Sequence, residues 1–185
     1  MKKVLMIIDP QVDFIAGSLP VPGADAAMDS LSVYVREHGN VYDKIIVSAD
    51  RHPFNHCSFK EYGGPWPRHC VHDSVGAAVW PALMESLYMV GDKCLFLYKG
   101  ERADVEEYSV FKNEVDSNII LNLVKDNNIS TIDICGIAGD VCVADSIEDG
   151  GKLLGYTLFN ILPQYTASID GGTRIENLRK LCRGE

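Results

Sequence analysis

Five short runs rich in apolar residues, of which residues 4–8 are an unbroken apolar run, constrain the fold of this chain more than any other feature. They cover residues 4–8, 44–48, 94–98, 131–135 and 156–161. A continuous apolar run of this length is typical of a strand that is buried on both faces, as in a parallel sheet. All five are far shorter than the roughly 20 residues needed to span a bilayer. The runs therefore predict five buried strands.

The segments between these runs have helical spacing of their apolar residues. Helices are predicted over residues 26–37, 117–126, 141–154 and 173–181, the third with Asp140 as its N-cap. Strands that alternate with helices indicate an α/β fold, in which helices cover both faces of a largely parallel sheet. The length of 185 residues fits one domain over residues 1–185.

The charge balance excludes several classes of partner. The chain has 17 basic and 26 acidic residues, a net charge of -9, so it lacks the basic field that binds nucleic acid or an anionic membrane. Five apolar residues precede Asp9, fewer than a secretory signal needs, and the six cysteines form no C-x-x-C pair. We expect a cytoplasmic protein that acts on a small molecule. Its oligomeric state is not fixed by the sequence, and a homo-oligomer stays open.

Residues 50–74 form a long segment without helical or strand periodicity. Segments of this length inside a compact fold are usually functional or disordered. This one holds Trp66 and four of the five histidines, His52, His56, His69 and His72, which is unlike the composition of a disordered linker. We interpret it as an ordered, functional loop.

Three residues with catalytic potential follow three of the predicted strands. In an open parallel sheet, ligands bind beyond the carboxyl ends of the strands, which is where Asp9, Lys99 and Cys142 fall. Cys142 lies at a predicted helix start, where the helix dipole lowers the pKa of a thiol. Asp9 can exchange a proton with that thiol, and Lys99 would favour both anions. Each also has an ordinary alternative: a buried thiol, a strand-end carboxylate and a surface lysine.

A second group has the donors of a metal site. Asp50 and His52 follow the second run, and His69 lies at the far end of the long loop. One oxygen and two nitrogen ligands suit Zn²⁺, Fe²⁺ or Mn²⁺. His56 is either a fourth ligand or a residue that hydrogen-bonds within the loop. Purely structural roles for these residues are the alternative.

Five short motifs together resemble one enzyme family. They are residues 9–14 (DPQVDF), 50–52 (DRH), 66–70 (WPRHC), 98–100 (YKG) and 136–142 (GIAGDVC). In order and spacing they resemble the nicotinamidase (pyrazinamidase) branch of the isochorismatase-like cysteine hydrolases. The resemblance implies a three-layer α/β/α fold with a mainly parallel sheet of five or six strands. It also implies hydrolysis of nicotinamide, and of pyrazinamide, to the acid and ammonia.

The resemblance also implies roles for residues of the reacting centre. Asp9, Lys99 and Cys142 match the catalytic triad of the family, whose cysteine forms a thioester intermediate. The backbone N–H groups of Ala138 and Cys142 match its oxyanion hole, and the family pattern puts a cis peptide bond between Ile137 and Ala138.

The remaining implied roles concern the metal and the substrate ring. Asp50, His52 and His69 match the ligands of one divalent transition metal, with Zn²⁺ expected first and Fe²⁺ or Mn²⁺ as alternatives. The substrate-binding residues are matched by Phe14, Trp66 and Tyr108. In the family the metal holds the pyridine nitrogen, directly or through water.

One departure from the family pattern leaves other functions open. Gly139 stands where many nicotinamidases have threonine, so a hydroxyl is missing near the nucleophile. The enzymatic alternatives are an isochorismatase, a carbamoyl or ureido amidase, and a hydrolase that uses a metal hydroxide. In the last of these, Cys142 would have only a packing role. Isochorismate is a dianion and suits this acidic chain poorly. A binding module without activity is the non-enzymatic alternative.

Overall fold

A sheet of five parallel strands forms the centre of the molecule. The structure is a computed structural model that describes residues 2–185. The strands are β1 (Lys2–Ile8), β2 (Lys44–Asp50), β3 (Cys94–Lys99), β4 (Ile129–Ile137) and β5 (Phe159–Ala167). Their order across the sheet is β3-β2-β1-β4-β5, and every neighbouring pair is parallel. The predicted α/β fold with a mainly parallel sheet is confirmed.

Helices cover both faces of this sheet. They are α1 (Val12–Ile15), α2 (Ala24–His38), α3 (Pro81–Val90), α4 (Glu114–Asn127), α5 (Ala144–Leu154) and α6 (Thr173–Arg183). Successive side chains of a strand point to opposite faces. Accordingly, Leu5 and Ile7 of β1 pack in a core with α2 and α3, while Val4 and Met6 pack in a second core with α4, α5 and α6. The result is three layers.

The predicted element boundaries need three corrections. Residues 156–158 form a turn of 3-10 helix rather than the start of a strand, and β5 begins at Phe159. Gly139–Val143 form a π-helical turn, so α5 begins at Ala144 and not at residue 141. Helix α3 was not predicted. Apolar residues lie on its exposed face as well as on its buried face, so its sequence shows no polar face with helical spacing.

The long loop after β2 is ordered through pairing with itself and with its neighbours. His52 forms a parallel bridge with Val71, and Phe59 forms one with Trp66. A short 3-10 helix, Lys60–Tyr62, lies between these bridges. These contacts agree with an ordered loop.

No helix within residues 2–185 is both long and apolar enough to cross a membrane.

The strand order places a crevice beside the end of β1. The chain builds β2 and β3 on one side of β1 and then β4 and β5 on the other side. Ligands in such sheets bind where the order reverses. Gly136 lets β1 and β4 approach closely here, since a Cβ atom at this position would lie 2.1 Å from the carbonyl oxygen of Ile8. Its φ of 126° is also a conformation that side chains disfavour.

We predict that Gly136→Ala destabilises the protein more than Gly155→Ala does. Gly155 also has a positive φ, of 91°, but a Cβ atom added there would meet nothing within 4 Å, so it controls for backbone strain alone. The added clash with β1 should lower the free energy of unfolding by about 1–3 kcal/mol beyond the control. Urea unfolding measures both variants, and equal losses would contradict the close approach of the strands.

Candidate active site

A buried lysine joins two carboxylates at the carboxyl ends of three strands. The Lys99 ammonium at the end of β3 lies 2.8 Å from Asp9 Oδ2 and 2.6 Å from Asp50 Oδ1. All three side chains are almost completely buried. Lys99 and Asp50 are register partners in neighbouring strands, so the pairing of β2 and β3 itself brings these two charges together.

Neighbouring polar groups fix the two carboxylates. The Gln11 amide donates to the Asp50 carbonyl at 2.7 Å and accepts from the Asp50 N–H at 2.8 Å. The Ser48 hydroxyl donates to Asp9 Oδ1 at 2.8 Å. The backbone of Asp9 has a φ of 47°, a left-handed conformation that Asp tolerates better than most residues. Hydrogen bonds therefore hold the Asp9 carboxylate and the Asp50 backbone, and Lys99 orients the Asp50 carboxylate.

Cys142 completes this cluster from the other side of the crevice. Its Sγ lies 3.6 Å from the Lys99 ammonium and within 4.8 Å of carboxylate oxygens of Asp9 and Asp50. The sequence predicts a lowered thiol pKa at a helix start. The structure contradicts this, because burial raises the pKa of Cys142, and the nearby Lys99 only partly opposes the rise.

Asp9 has the protonation behaviour of a group that can accept a proton. Burial raises the pKa of Asp9, with Lys99 opposing the shift and Asp50 adding to it. Asp50 behaves in the opposite way: although burial acts to raise its pKa, Lys99 and His52 hold that pKa well below the usual value. Of the two carboxylates, Asp9 is thus the better base for the Cys142 thiol.

Asp50, His52 and His69 form a buried group whose donor atoms lie within 4.8 Å of one another. His52 Nδ1 lies 2.9 Å from the Gly100 carbonyl, and His69 Nδ1 lies 2.7 Å from the Pro67 carbonyl. Carbonyl oxygens accept only, so each Nδ1 carries a proton, and Nε2 is the ring nitrogen that can ligate a metal.

Asp50, His52 and His69 are called the metal group, because their arrangement fits a divalent metal. His52 Nε2 is buried without a hydrogen-bond partner in residues 2–185, and burial lowers the pKa of His69, which keeps that imidazole neutral. A carbonyl partner on Nδ1 is the usual support of a metal-binding histidine. Gly100 is needed for it, since a Cβ atom there would lie 2.4 Å from the His52 ring.

His56 does not belong to this group, which corrects its assignment as a possible fourth ligand. Its Nδ1 lies 2.8 Å from the Ser58 hydroxyl and its Nε2 lies 3.0 Å from the Val105 carbonyl. Both nitrogens are therefore engaged. The His56 ring stacks on His52 with the ring centroids 4.0 Å apart, so it packs behind the metal group.

A mostly apolar cavity opens onto Cys142 and the metal group. Its lining includes the predicted ring-binding residues Phe14, Trp66 and Tyr108, together with Asp50, His69, Ala138 and Cys142. The Trp66 indole N–H donates to the Tyr108 hydroxyl at 2.9 Å, which joins two walls from distant parts of the chain. The Ile137–Ala138 peptide bond is cis, as the resemblance implies.

Several lining residues were not predicted from the sequence. They are Leu19, Val21, Glu106, Val141 and Ile169. Val141 could have been inferred from its place beside Cys142, whereas no local motif marks the others.

Ser168 occupies the space that a side chain at position 139 would need. A Cβ atom at Gly139 would lie 2.1 Å from the Ser168 hydroxyl oxygen.

Asp140 has a different role from the predicted helix cap. Its carboxylate accepts hydrogen bonds from the N–H groups of Ile169 and Asp170, at 2.8 and 3.0 Å. It therefore fixes the turn after β5, which carries Ile169 to the cavity.

The fold is that of solved isochorismatase-like hydrolases. One such hydrolase, from Alkaliphilus metalliredigens, superposes with a TM-score of 0.71 at 19% identity, covering 98% of this chain and 91% of that one. The chain is 32% identical to the nicotinamidase/pyrazinamidase of Mycobacterium tuberculosis over 97% of its own length and 94% of that protein. It belongs to the nicotinamidase/pyrazinamidase family.

Two solved structures are similar over nearly the whole chain. The pyrazinamidase of Pyrococcus horikoshii in complex with zinc superposes with a TM-score of 0.81 at 29% identity, covering 97% of this chain and 96% of that one. PnC1 from L. infantum in complex with nicotinate gives a TM-score of 0.81 at 32% identity, with 97% and 89% covered. A scan of protein-family models gives no match.

We predict that Lys99→Met strongly destabilises the protein near neutral pH. The substitution keeps the length of the side chain but leaves Asp9 and Asp50 buried without their cation, which should cost about 3–5 kcal/mol. Lys112→Met is the control, because Lys112 pairs with Asp149 on the surface and should change stability by at most about 1 kcal/mol. Denaturant unfolding compares the two.

The difference between wild type and Lys99→Met should shrink in acid. Lys99 lowers the pKa of Asp50 from its ordinary 3.8, so the ion pair stabilises the fold above that value and loses this effect as pH falls below it. Equal stability of both proteins at pH 7 would contradict the ion cluster.

Proposed function

We propose that this protein hydrolyses nicotinamide to nicotinate and ammonia, and that it also accepts pyrazinamide. The observation that carries the proposal is the convergence of Asp9 and Lys99 on Cys142, which lines the same cavity as Asp50 and His69 of the metal group. A nucleophile and a metal group on one small apolar cavity suit an amide attached to a nitrogen-containing ring. The family relationship supports the same reaction.

In the proposed reaction, Asp9 takes the proton of the Cys142 thiol. The thiolate attacks the amide carbonyl carbon, and the carbon–nitrogen bond then breaks as the nitrogen receives the proton from Asp9 and leaves as ammonia. The product is a thioester on Cys142. Water adds to this thioester with Asp9 as base, which releases nicotinate and restores the thiol.

Lys99 supports this proton transfer through its charge. Its ammonium lies between Asp9 and Cys142 Sγ, so it stabilises whichever of the two groups is the anion. The backbone N–H groups of Ala138 and Cys142 are the proposed donors to the negative oxygen of the tetrahedral intermediate. Donors fixed by the backbone need no reorganisation when that charge develops.

Asp50, His52 and His69 are the proposed ligands of one divalent metal, with Zn²⁺ as the first expectation and Fe²⁺ or Mn²⁺ as alternatives. When bound, the metal supplies a Lewis-acidic point that holds the ring nitrogen of the substrate. Phe14, Trp66 and Tyr108 are proposed to pack on the ring. Because the hydrogen bond between Trp66 and Tyr108 fixes both side chains, the ring has one preferred orientation toward Cys142.

We predict that the purified protein releases ammonia from nicotinamide and from pyrazinamide. Removal of metal with a chelator should reduce the rate strongly, because the group that orients the substrate is lost, and added Zn²⁺, Fe²⁺ or Mn²⁺ should restore it. An ammonia assay on both amides, with a carbamoyl compound as a third substrate, tests this. Ammonia from the carbamoyl compound alone would assign the protein to the carbamoyl amidases instead.

We predict that Cys142→Ala lowers kcat for nicotinamide by about 10³-fold or more, because the nucleophile is lost. The control is Cys182→Ala, which removes a buried cysteine of α6 that does not line the cavity. Steady-state kinetics on both variants separates two mechanisms. If Cys142→Ala kept most of its turnover, a hydroxide generated at the metal group would be the nucleophile, and the thioester mechanism would be wrong.

A further inference from the structure

Glu106 lines the same cavity as Cys142, Asp50 and His69, and the mechanism gives it no task. Its Oε1 accepts a hydrogen bond from the Glu107 N–H at 3.1 Å. Its Oε2 is buried and has no hydrogen-bond partner in the described part of the chain, residues 2–185. A buried carboxylate oxygen without a donor is costly, so this oxygen is placed to interact with something that enters the cavity.

The neighbouring glutamate shows that this is not a general property of the segment. The Glu107 side chain instead contacts the main chain of Gly100, whose N–H donates a hydrogen bond to Glu107 Oε2 at 3.0 Å. Gly100 in turn supports His52 through its carbonyl group. Glu107 therefore has a structural partner, and of the two adjacent glutamates only Glu106 lines the cavity.

The charges of the metal group act directly on Glu106. Burial raises the pKa of its carboxyl, Asp50 adds to the rise, and His52 and Lys99 oppose it. Glu106 also lines the same cavity as two of the three candidate ligands, Asp50 and His69. It is not itself within the group whose donor atoms lie within 4.8 Å of one another.

With a divalent metal bound, the formal charges of the buried cluster would sum to one excess positive charge, which the Glu106 carboxylate can neutralise. Asp9 and Asp50 carry two negative charges, and Lys99 carries one positive charge. Histidines that ligate a metal are neutral, so a bound dication would leave this buried centre with one excess positive charge. Such an excess is unfavourable in a site removed from water, and the Glu106 carboxylate would cancel it.

We propose that Glu106 is an outer carboxylate of the metal centre, which does not ligate the metal but increases its affinity through charge and through water in the cavity. This inference rests on the proposed metal-dependent function. Groups just outside a metal's ligands typically change its affinity by about 10–100-fold. The role is argued from the position of Glu106 in the cavity.

The test measures zinc affinity by competition with a chromophoric chelator, using the full-length apo protein. Glu106→Gln should raise the Kd for Zn²⁺ by about 10–100-fold and leave the Tm of the apo protein close to wild type. Glu101→Gln is the matched control: Glu101 lies on the same segment, is exposed and pairs with Arg51, so its Kd should stay within about twofold. Glu106→Ala, which also removes the charge, should weaken zinc binding like Glu106→Gln and serves if the first variant does not fold.

Each outcome has a defined meaning. A Glu106→Gln variant that binds Zn²⁺ with the wild-type Kd would overturn the inference. If its KM for nicotinamide were raised at the same time, Glu106 would instead be assigned to substrate binding. His52→Ala separates this failure from failure of the proposed function, because it should abolish zinc binding whatever Glu106 does. If wild type and His52→Ala bind zinc equally weakly, the metal group itself is wrong and this inference falls with it.

Discussion

One buried ammonium holds the two halves of the site together. Lys99 contacts Asp9, which faces the nucleophile Cys142, and Asp50, which belongs to the metal group. Removing three charges from water is expensive, and only close pairing offsets the cost. The arrangement therefore requires that the ends of β1, β2 and β3 keep fixed relative positions. The distance between the nucleophile and the metal group follows from the same constraint, and so does the size of substrate that can bridge them.

Much of this could be predicted because strand ends are easy to read in a sequence. Short runs rich in apolar residues indicate all five strands, and the residue after each run is a candidate for the crevice. A parallel sheet brings all its carboxyl ends to one edge, and the order β3-β2-β1 makes the strands that end at Lys99, Asp50 and Asp9 neighbours. The order of the strands, with β1 beside both β2 and β4, then brings Cys142 to the same place.

The errors concern properties that depend on packing rather than on position along the chain. The lowered pKa predicted for Cys142 is wrong in direction, because burial raises this pKa more than the nearby Lys99 lowers it. His56 resembles a ligand by spacing, but its nitrogens are engaged by Ser58 and Val105. Glu106 was not predicted for a related reason. It lies in an irregular segment, and because such a segment has no periodicity, the sequence does not show which of its charged side chains faces a cavity.

The most direct measurement is a crystal structure of the metal-loaded protein with the aldehyde analogue of nicotinamide. An aldehyde has no amine to lose, so attack by a thiolate should stop at the tetrahedral adduct. The account predicts a covalent bond between Cys142 Sγ and the aldehyde carbon, with the ring nitrogen toward Asp50, His52 and His69. An aldehyde bound without that bond, or with the ring nitrogen directed away from this group, would contradict it.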